Sequence, residues 1–221
     1  MGNIKNFVSD LHNQTKRNYL DRMVNNKVEC MSKAKEYEFD YWDGDRKYGY
    51  GGYKYIEGRW KIVAQKIIDE YNLNENSKIL DVGCGKGFLL YEFKKLLPNA
   101  EVKGLDISSY AIKNSKNEIS NYLTLGNANN LPYNTDEFDL VISLNTLHNL
   151  YCFDLVNSLK EIERVSKKNK YICVESYRNE IEKVNLLYWQ VTCECFFTPE
   201  EWKWFFNDCK YSGDYSFIYF E

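Results

Sequence analysis

Three alternate glycines follow a short apolar run, and they constrain the fold more than any other feature of the chain. Residues 79–82 are apolar apart from Asp81, and Gly83, Gly85 and Gly87 come directly after them. Glycine accepts positive φ and lets a ligand approach the backbone without a Cβ clash. The next residues have helical spacing, and a helix that starts there directs free N–H groups at the loop. The segment therefore predicts a strand, a ligand-binding loop and a helix.

The spacing of the glycines narrows the choice of ligand. A dinucleotide fingerprint needs a third glycine where this chain has Phe88, and the Gly-Lys-Ser/Thr of a phosphate P-loop is absent. A second acid, Asp106, ends the next apolar run, at the position where doubly wound folds bind the ribose of an adenosine ligand. Two acids without a P-loop lysine favour a ligand that carries a ribose and an amino group.

Short apolar runs alternate with helical patterns along most of the chain. The predicted strands are residues 79–82, 102–106, 122–125, 138–143, 171–175 and 214–220, and the predicted helices are residues 60–72, 88–97, 108–119, 153–166 and 198–209. This alternation predicts an α/β fold with a doubly wound, mostly parallel sheet. The sequence leaves open whether residues 188–196 add a further strand or the sheet has six.

The start of the chain differs from the rest in composition. Residues 37–60, here called the aromatic lid, hold nine aromatic residues and five glycines without helical or strand periodicity. Such a composition favours a loop that folds over a ligand. We therefore predict two parts: a helical N-terminal extension with the lid at residues 1–58, and a cofactor-binding domain at residues 59–221.

Charge and cysteine content exclude several classes of protein. The chain has 29 Lys and Arg against 32 Asp and Glu, which is not the basic footprint of a nucleic-acid binder. Its seven cysteines are an odd number, which favours free thiols in a reducing cytoplasm, and with only two histidines no metal site is expected. No apolar stretch reaches the ~18 residues of a membrane span, and the N-terminus does not resemble a signal peptide. The sequence does not indicate an oligomeric state.

Four elements in order resemble the class I S-adenosylmethionine-dependent methyltransferases. They are the acid-glycine loop at residues 79–88, Asp106, the NANNLPY segment at residues 127–133, and the FDLV run that leads to the Leu-His pair at residues 147–148. The resemblance covers roughly residues 60–175. It implies a Rossmann-like fold, S-adenosylmethionine as cofactor and S-adenosylhomocysteine as product.

The resemblance also implies which residues contact the cofactor. They are Asp81, Gly83, Cys84, Gly85, Gly87, Asp106, Ile107, Asn127, Ala128, Leu144 and Asn145. Asp81 would face the amino group, Asp106 would hold the ribose hydroxyls and Ile107 would pack on adenine. Asn127 stands where the family often has Asp, and its amide can still accept a hydrogen bond from the adenine amino group.

Further site residues are expected from the lid and from the sheet edge. Aromatic walls stabilise a sulfonium, so Tyr48 and Tyr50 are predicted to line the site, and Arg59 is predicted to bind a carboxylate or phosphate with its planar fork. Methyl transfer needs an unprotonated nucleophile, and His148 and Glu175 are the candidate catalytic bases. Simple packing roles for the rings and for His148 stay open.

The acceptor is predicted only as a class. Aromatic residues and Arg178 in the segment 176–197 favour a small polar or anionic metabolite, with O-methylation preferred. The lid and residues 200–221 also resemble small methyltransferases of bacterial surface-polysaccharide gene clusters, which implies a capsular or lipopolysaccharide sugar or its phosphoramidate-type decoration. Two alternatives remain: a catalytically silent cofactor-binding partner subunit, and a nicotinamide-dependent oxidoreductase, against which Phe88 argues.

Overall fold

A six-stranded parallel sheet forms the centre of the computed structural model, which describes residues 1–221. The strands are β1 (Lys78–Val82), β2 (Glu101–Asp106), β3 (Leu123–Leu125), β4 (Phe138–Leu144), β5 (Ser166–Glu175) and β6 (Asp214–Ile218). Their order is β3-β2-β1-β4-β5-β6, and every neighbouring pair is parallel. The order reverses between β1 and β4, so a ligand crevice is expected at the carboxyl ends of these two strands.

Helices cover both faces of the sheet. They are α1 (Ser9–Asn13), α2 (Tyr19–Val24), α3 (Lys27–Ala34), α4 (Phe39–Trp42), α5 (Lys61–Tyr71), α6 (Phe88–Leu96), α7 (Ser109–Lys113), α8 (Asn117–Ser120), α9 (Cys152–Val165), α10 (Glu180–Trp189) and α11 (Pro199–Asp208), with a 3₁₀ turn at Leu147–Asn149. Ile79 points into an apolar cluster with α5 and α6, while its neighbour Leu80 points into a second cluster with α9 and α11. This alternation along one buried strand confirms the doubly wound fold.

The structure corrects two sequence-based expectations and decides one that was open. The predicted helix at 108–119 is two short helices, α7 and α8. Residues 188–196 form no strand, so the sheet has six strands, and Cys193 and Cys195 are buried in irregular backbone. The polar stretch after β5 contains α10, which starts where the Asn179 side chain accepts a hydrogen bond from the backbone N–H of Glu182.

The N-terminal extension packs along the β5–β6 side of the sheet. The backbone N–H of Gly2 donates to the carbonyl of Gly213 at 2.9 Å, and Ile4 pairs with Tyr215 of the edge strand β6. From there α2 reaches α10, where the Arg22 guanidinium donates to the carbonyl of Trp189 at 3.1 Å. These contacts lead the chain to the carboxyl edge of the sheet. None of the helices is long and apolar enough to cross a bilayer.

Candidate functional site

The glycine loop turns tightly between β1 and α6. Gly83 and Gly85 have φ values of 82° and 55°, a region that L side chains rarely adopt. A Cβ on Gly83 would overlap the side chain of Thr146, and one on Gly85 would lie 2.8 Å from the ring of Trp42. The loop therefore needs glycine for its turn and for the close approach of its neighbours.

Asp106 holds this loop from the end of β2. Its carboxylate accepts hydrogen bonds from the backbone N–H groups of Gly85 at 2.7 Å and Ser108 at 2.8 Å. Burial raises the pKa of Asp106, and these two hydrogen bonds oppose that rise. An ionised carboxylate has about four acceptor sites, so Asp106 can accept further hydrogen bonds from a ligand.

Asp81 is an acid of the site whose carboxyl has no partner. The residue is 4% exposed at the end of β1, yet its carboxyl forms no hydrogen bond within the protein. Burial raises its pKa to about 8, and the nearby charge of Asp106 adds to the effect. A cationic ligand group beside Asp81 would reverse this penalty, because an opposite charge stabilises the ionised form.

A cavity of about 620 Å³ opens above these groups, between the sheet edge and the lid. The sequence-predicted residues that line it are Asp81, Gly83, Cys84, Gly85, Asp106, Ile107, Asn127, Ala128, Leu144, Asn145, Tyr50, Arg59, His148 and Glu175. Gly87 and Tyr48 do not line it. Gly87 precedes α6 and faces Leu123, and the Tyr48 hydroxyl donates to Glu29 at 2.9 Å in a separate small cluster.

Trp42 forms the roof of the cavity beside the glycine loop, although the sequence did not single it out. Its indole N–H donates to the hydroxyl of Ser108 at 2.9 Å, and its ring stacks on Tyr50 with centroids 5.3 Å apart. The loop residue Lys86 anchors the same segment, since its ammonium contacts both carboxylate oxygens of Asp43 at 2.8 and 2.7 Å. Lys86 thus binds the lid instead of a phosphate.

His148 and Glu175 face each other in the wall of the cavity, with His148 Nε2 3.4 Å from Glu175 Oε2. Burial lowers the pKa of His148 to about 3 and raises that of Glu175 to about 8, although Gln190 donates to Glu175 and opposes the rise. Both groups are therefore neutral near pH 7, and they do not form an ion pair.

The hydrogen bonds of His148 fix its tautomer. Its Nδ1 accepts from the backbone N–H of Glu175 at 3.3 Å, so the neutral ring carries its proton on Nε2. The lone pair on Nδ1, the only one that the neutral ring could use as a base, is therefore occupied by this hydrogen bond. Glu175 Oε2, in contrast, is buried without a hydrogen-bond partner. Of the two predicted bases, Glu175 has the acceptor atom that is still available.

Arg59 lines the cavity with an exposed side chain and forms no ion pair. Arg59 lies near Tyr53, because its charge opposes the rise in the pKa of the Tyr53 hydroxyl that burial causes and to which the charge of Asp81 adds. Two further cavity arginines, Arg17 and Arg22, come from the N-terminal extension. No local sequence pattern indicates them, because only the packing of the extension against α10 brings them to the site.

Fold and site together define a Rossmann-like methyltransferase. The family model described as "Methyltransferase domain" matches residues 73–209, more than half of the chain. The chain therefore belongs to the methyltransferase domain family, and its cofactor is S-adenosylmethionine. This membership decides against the nicotinamide-dependent alternative.

Similar proteins are matched over part of their length. The protein YrhH of Bacillus subtilis is 28% identical over 130 residues, which are 56% of this chain and 71% of that protein. Demethylmenaquinone methyltransferase of Staphylococcus carnosus is 33% identical over 122 residues, 52% of this chain. The chain covers about half, 50%, of that enzyme's length.

Solved structures share the fold at low sequence identity. YcgJ of Bacillus subtilis has a TM-score of 0.55 and 19% identity, with 66% of each chain covered. Geranyl diphosphate C-methyltransferase of Streptomyces coelicolor, solved with S-adenosylhomocysteine, has a TM-score of 0.55 and 14% identity over 66% of this chain and 58% of that one. These likenesses establish the fold.

The residues of the cavity fit the cofactor. Asp106 has acceptor sites to spare for ribose hydroxyls, and the unpartnered Asp81 suits an amino group. Exposed Ile107 offers an apolar surface to an adenine ring.

Proposed function

We propose that the protein transfers the methyl group of S-adenosylmethionine to an oxygen of a small polar or anionic metabolite, with Glu175 as the proton acceptor. The observation that carries this proposal is a buried carboxyl with a free oxygen in the wall of the same cavity as Asp81 and Asp106. Its raised pKa, about 8, makes its ionised form a stronger base than an ordinary carboxylate, and this form is a minor fraction near neutrality that grows as the pH rises.

When bound, S-adenosylmethionine supplies an electrophilic methyl group and becomes the neutral thioether S-adenosylhomocysteine. The acceptor atom must therefore have a lone pair that is free to attack the methyl carbon. Glu175 would take the proton that a hydroxyl acceptor loses as its oxygen bonds to the methyl carbon. His148 would position Glu175, because its Nε2 lies 3.4 Å from Glu175 Oε2 and its ring is held by the backbone of β5.

The cofactor would be held by groups at both ends of the glycine loop. Asp106 would bind the ribose hydroxyls, with Ile107, Asn127 and Ala128 around the adenine. At the methionine end, Asp81 would pair with the amino group and Arg59 with the carboxylate, which the shared proximity of both residues to Tyr53 supports. The lid, with Trp42 and Tyr50, would exclude water from the reacting groups.

The finer assignment of the acceptor rests on the resemblance to surface-polysaccharide methyltransferases. A capsular or lipopolysaccharide sugar, or its phosphoramidate-type decoration, fits a cavity that combines aromatic rings with arginines. Such a nucleotide-linked or phosphorylated precursor would be methylated in the cytoplasm. The net charge of −3 supports a small-molecule acceptor over a nucleic acid.

Labelled methyl transfer tests this function. The protein is incubated with methyl-labelled S-adenosylmethionine and a metabolite extract of its own organism, and labelled small molecules are identified by mass spectrometry. We expect label in a small polar metabolite, and loss of that label in the Glu175→Gln variant. A protein that binds S-adenosylhomocysteine but labels nothing would be the silent partner subunit instead.

A further inference from the structure

Three arginines surround one indole ring in the wall of the cavity. The guanidinium carbons of Arg17, Arg22 and Arg46 lie 5.4, 5.0 and 5.1 Å from the ring centroid of Trp189, and all four residues line the cavity. We call this group the arginine cluster. Two of its members come from the N-terminal extension and one from the lid, so the cluster exists only when both lie against α10.

No carboxylate neutralises the arginine cluster. None of its members is within 4.0 Å of an Asp or Glu oxygen, whereas Arg164 and Arg178 elsewhere in the chain both form ion pairs. Two acids act on the cluster from beyond ion-pair distance: Glu175 affects Arg17 and Asp45 affects Arg22. Burial favours the neutral form of Glu175. Burial lowers the pKa of all three arginines, and that of Arg22 reaches about 10, with the charge of Arg46 adding to the effect.

The three arginines differ in how many N–H groups they have free. Arg22 is used structurally, since it donates to the carbonyls of Trp189, Arg46 and Gly49. Arg17 donates to the carbonyls of Thr15 and His12 and leaves its buried Nε without a partner. Arg46 donates only to the carbonyl of Gly49, so most of its five N–H donors remain free.

Such an arrangement is suited to bind an anion. Arg22 is buried and Arg17 is half-buried, whereas Arg46 is exposed. A ligand that supplies negative charge would offset the cost of burying the first two without a counter-ion. A free arginine fork binds phosphoryl oxygens in a bidentate way. The cluster is separate from Arg59, whose charge acts on Tyr53, while Arg17 is close enough to Glu175 to lower its pKa.

We propose that the arginine cluster is the acceptor's anion site and that it takes a phosphoryl group of the methyl acceptor, with Arg46 as the main ligand and Arg17 as the second. This inference rests on the proposed function and makes it more specific. An acceptor anchored there would have its phosphoryl group beside Trp189 and its nucleophile near Glu175. The cluster then determines specificity, whereas Asp81, Asp106 and Arg59 serve the cofactor.

Three matched probes test the proposal by calorimetric titration. Protein saturated with S-adenosylhomocysteine is titrated with glycerol 3-phosphate, glycerate and glycerol, which share a carbon skeleton and present a phosphoryl, a carboxylate or neither. We expect glycerol 3-phosphate to bind about tenfold or more tightly than glycerate, and glycerol not to bind. Arg46→Gln should weaken the binding of glycerol 3-phosphate about tenfold or more. Arg46→Lys keeps the charge without the planar fork, so its affinity should lie between those of wild type and Arg46→Gln.

Controls separate this result from loss of folding and from failure of the proposed function. Arg178, which we expected from the sequence to favour an anionic acceptor, lies outside the cavity and pairs with Glu182 and Glu221. Arg178→Gln should therefore bind the probes like wild type, and every variant should retain its affinity for S-adenosylhomocysteine. Equal binding of all three probes, or glycerol 3-phosphate binding that Arg46→Gln and Arg46→Lys leave unchanged, would overturn the proposal. Loss of S-adenosylhomocysteine affinity in the Arg46 variants would also overturn it, since the cluster would then serve the cofactor. A wild-type protein that binds no S-adenosylhomocysteine would refute the proposed function itself.

Discussion

Glu175→Gln should separate the stability of this protein from its activity. The folded pKa of Glu175 is raised from 4.5 to about 8 by burial. One pKa unit corresponds to about 1.4 kcal/mol, so the ionised side chain costs the folded protein on the order of 4 to 5 kcal/mol. Glutamine cannot ionise, and it keeps an oxygen that can accept the hydrogen bond from Gln190.

The sign of the pH dependence follows from the raised pKa. Below pH 4.5 Glu175 is protonated in both states, and its contribution to stability is complete. As the pH rises the unfolded chain ionises first, so the contribution declines and is lost as the pH passes about 8. Asp81 behaves in the same way, but it is present in both proteins and cancels from their difference.

Thermal unfolding of the ligand-free proteins between pH 5 and 9 measures this effect. We expect the melting temperature of Glu175→Gln, measured relative to that of wild type at the same pH, to increase as the pH rises. In labelled methyl transfer at saturating cofactor, the wild-type rate should rise about tenfold per pH unit below pH 8, while the variant should lose roughly 100-fold or more. A wild-type rate independent of pH would refute Glu175 as the base. A melting-temperature difference that stays the same at every pH would refute its raised pKa.

Two further predictions concern the cofactor end of the cavity. Arg59→Ala should weaken the binding of S-adenosylhomocysteine about tenfold or more in calorimetry, because a charge-assisted hydrogen bond is lost. The melting temperature of the ligand-free protein should stay nearly unchanged, because the side chain is exposed and unpaired. A loss of stability with normal affinity would make Arg59 a structural residue. Amide hydrogen exchange in the lid, residues 37–60, should slow when S-adenosylhomocysteine binds. In the ligand-free protein, Lys86→Met should speed this exchange, because it removes the contact with Asp43. Exchange rates that neither the ligand nor the substitution alters would exclude a closing lid.

Local signals made the fold and the core of the site predictable. The strand, glycine loop and helix of residues 78–96 depend on neighbouring residues, and the acid at the end of β2 follows from the parallel topology. The capping box at Thr198 likewise fixed the start of α11 from four consecutive residues. These features hardly depend on how the rest of the chain is packed.

Features that depend on distant contacts were not predictable. Arg17 and Arg22 reach the cavity only because the extension pairs with β6 and packs on α10. Tyr48 and Tyr50 are two residues apart and have similar neighbours in the sequence. The turn of the lid nevertheless directs Tyr50 to the cavity and Tyr48 to Glu29. The tautomer of His148 depends on the backbone of β5, 27 residues away, and no local pattern carries that information.

Binding of S-adenosylhomocysteine to wild type and to Asp106→Ala tests the central claim most directly. Asp139→Ala is the matched control, since Asp139 also accepts a backbone N–H, from Lys78, but does not line the cavity. We predict that calorimetry shows one site in wild type and in Asp139→Ala, and an affinity about ten- to a hundredfold lower in Asp106→Ala. No binding to wild type, or equal affinity in Asp106→Ala, would contradict the account.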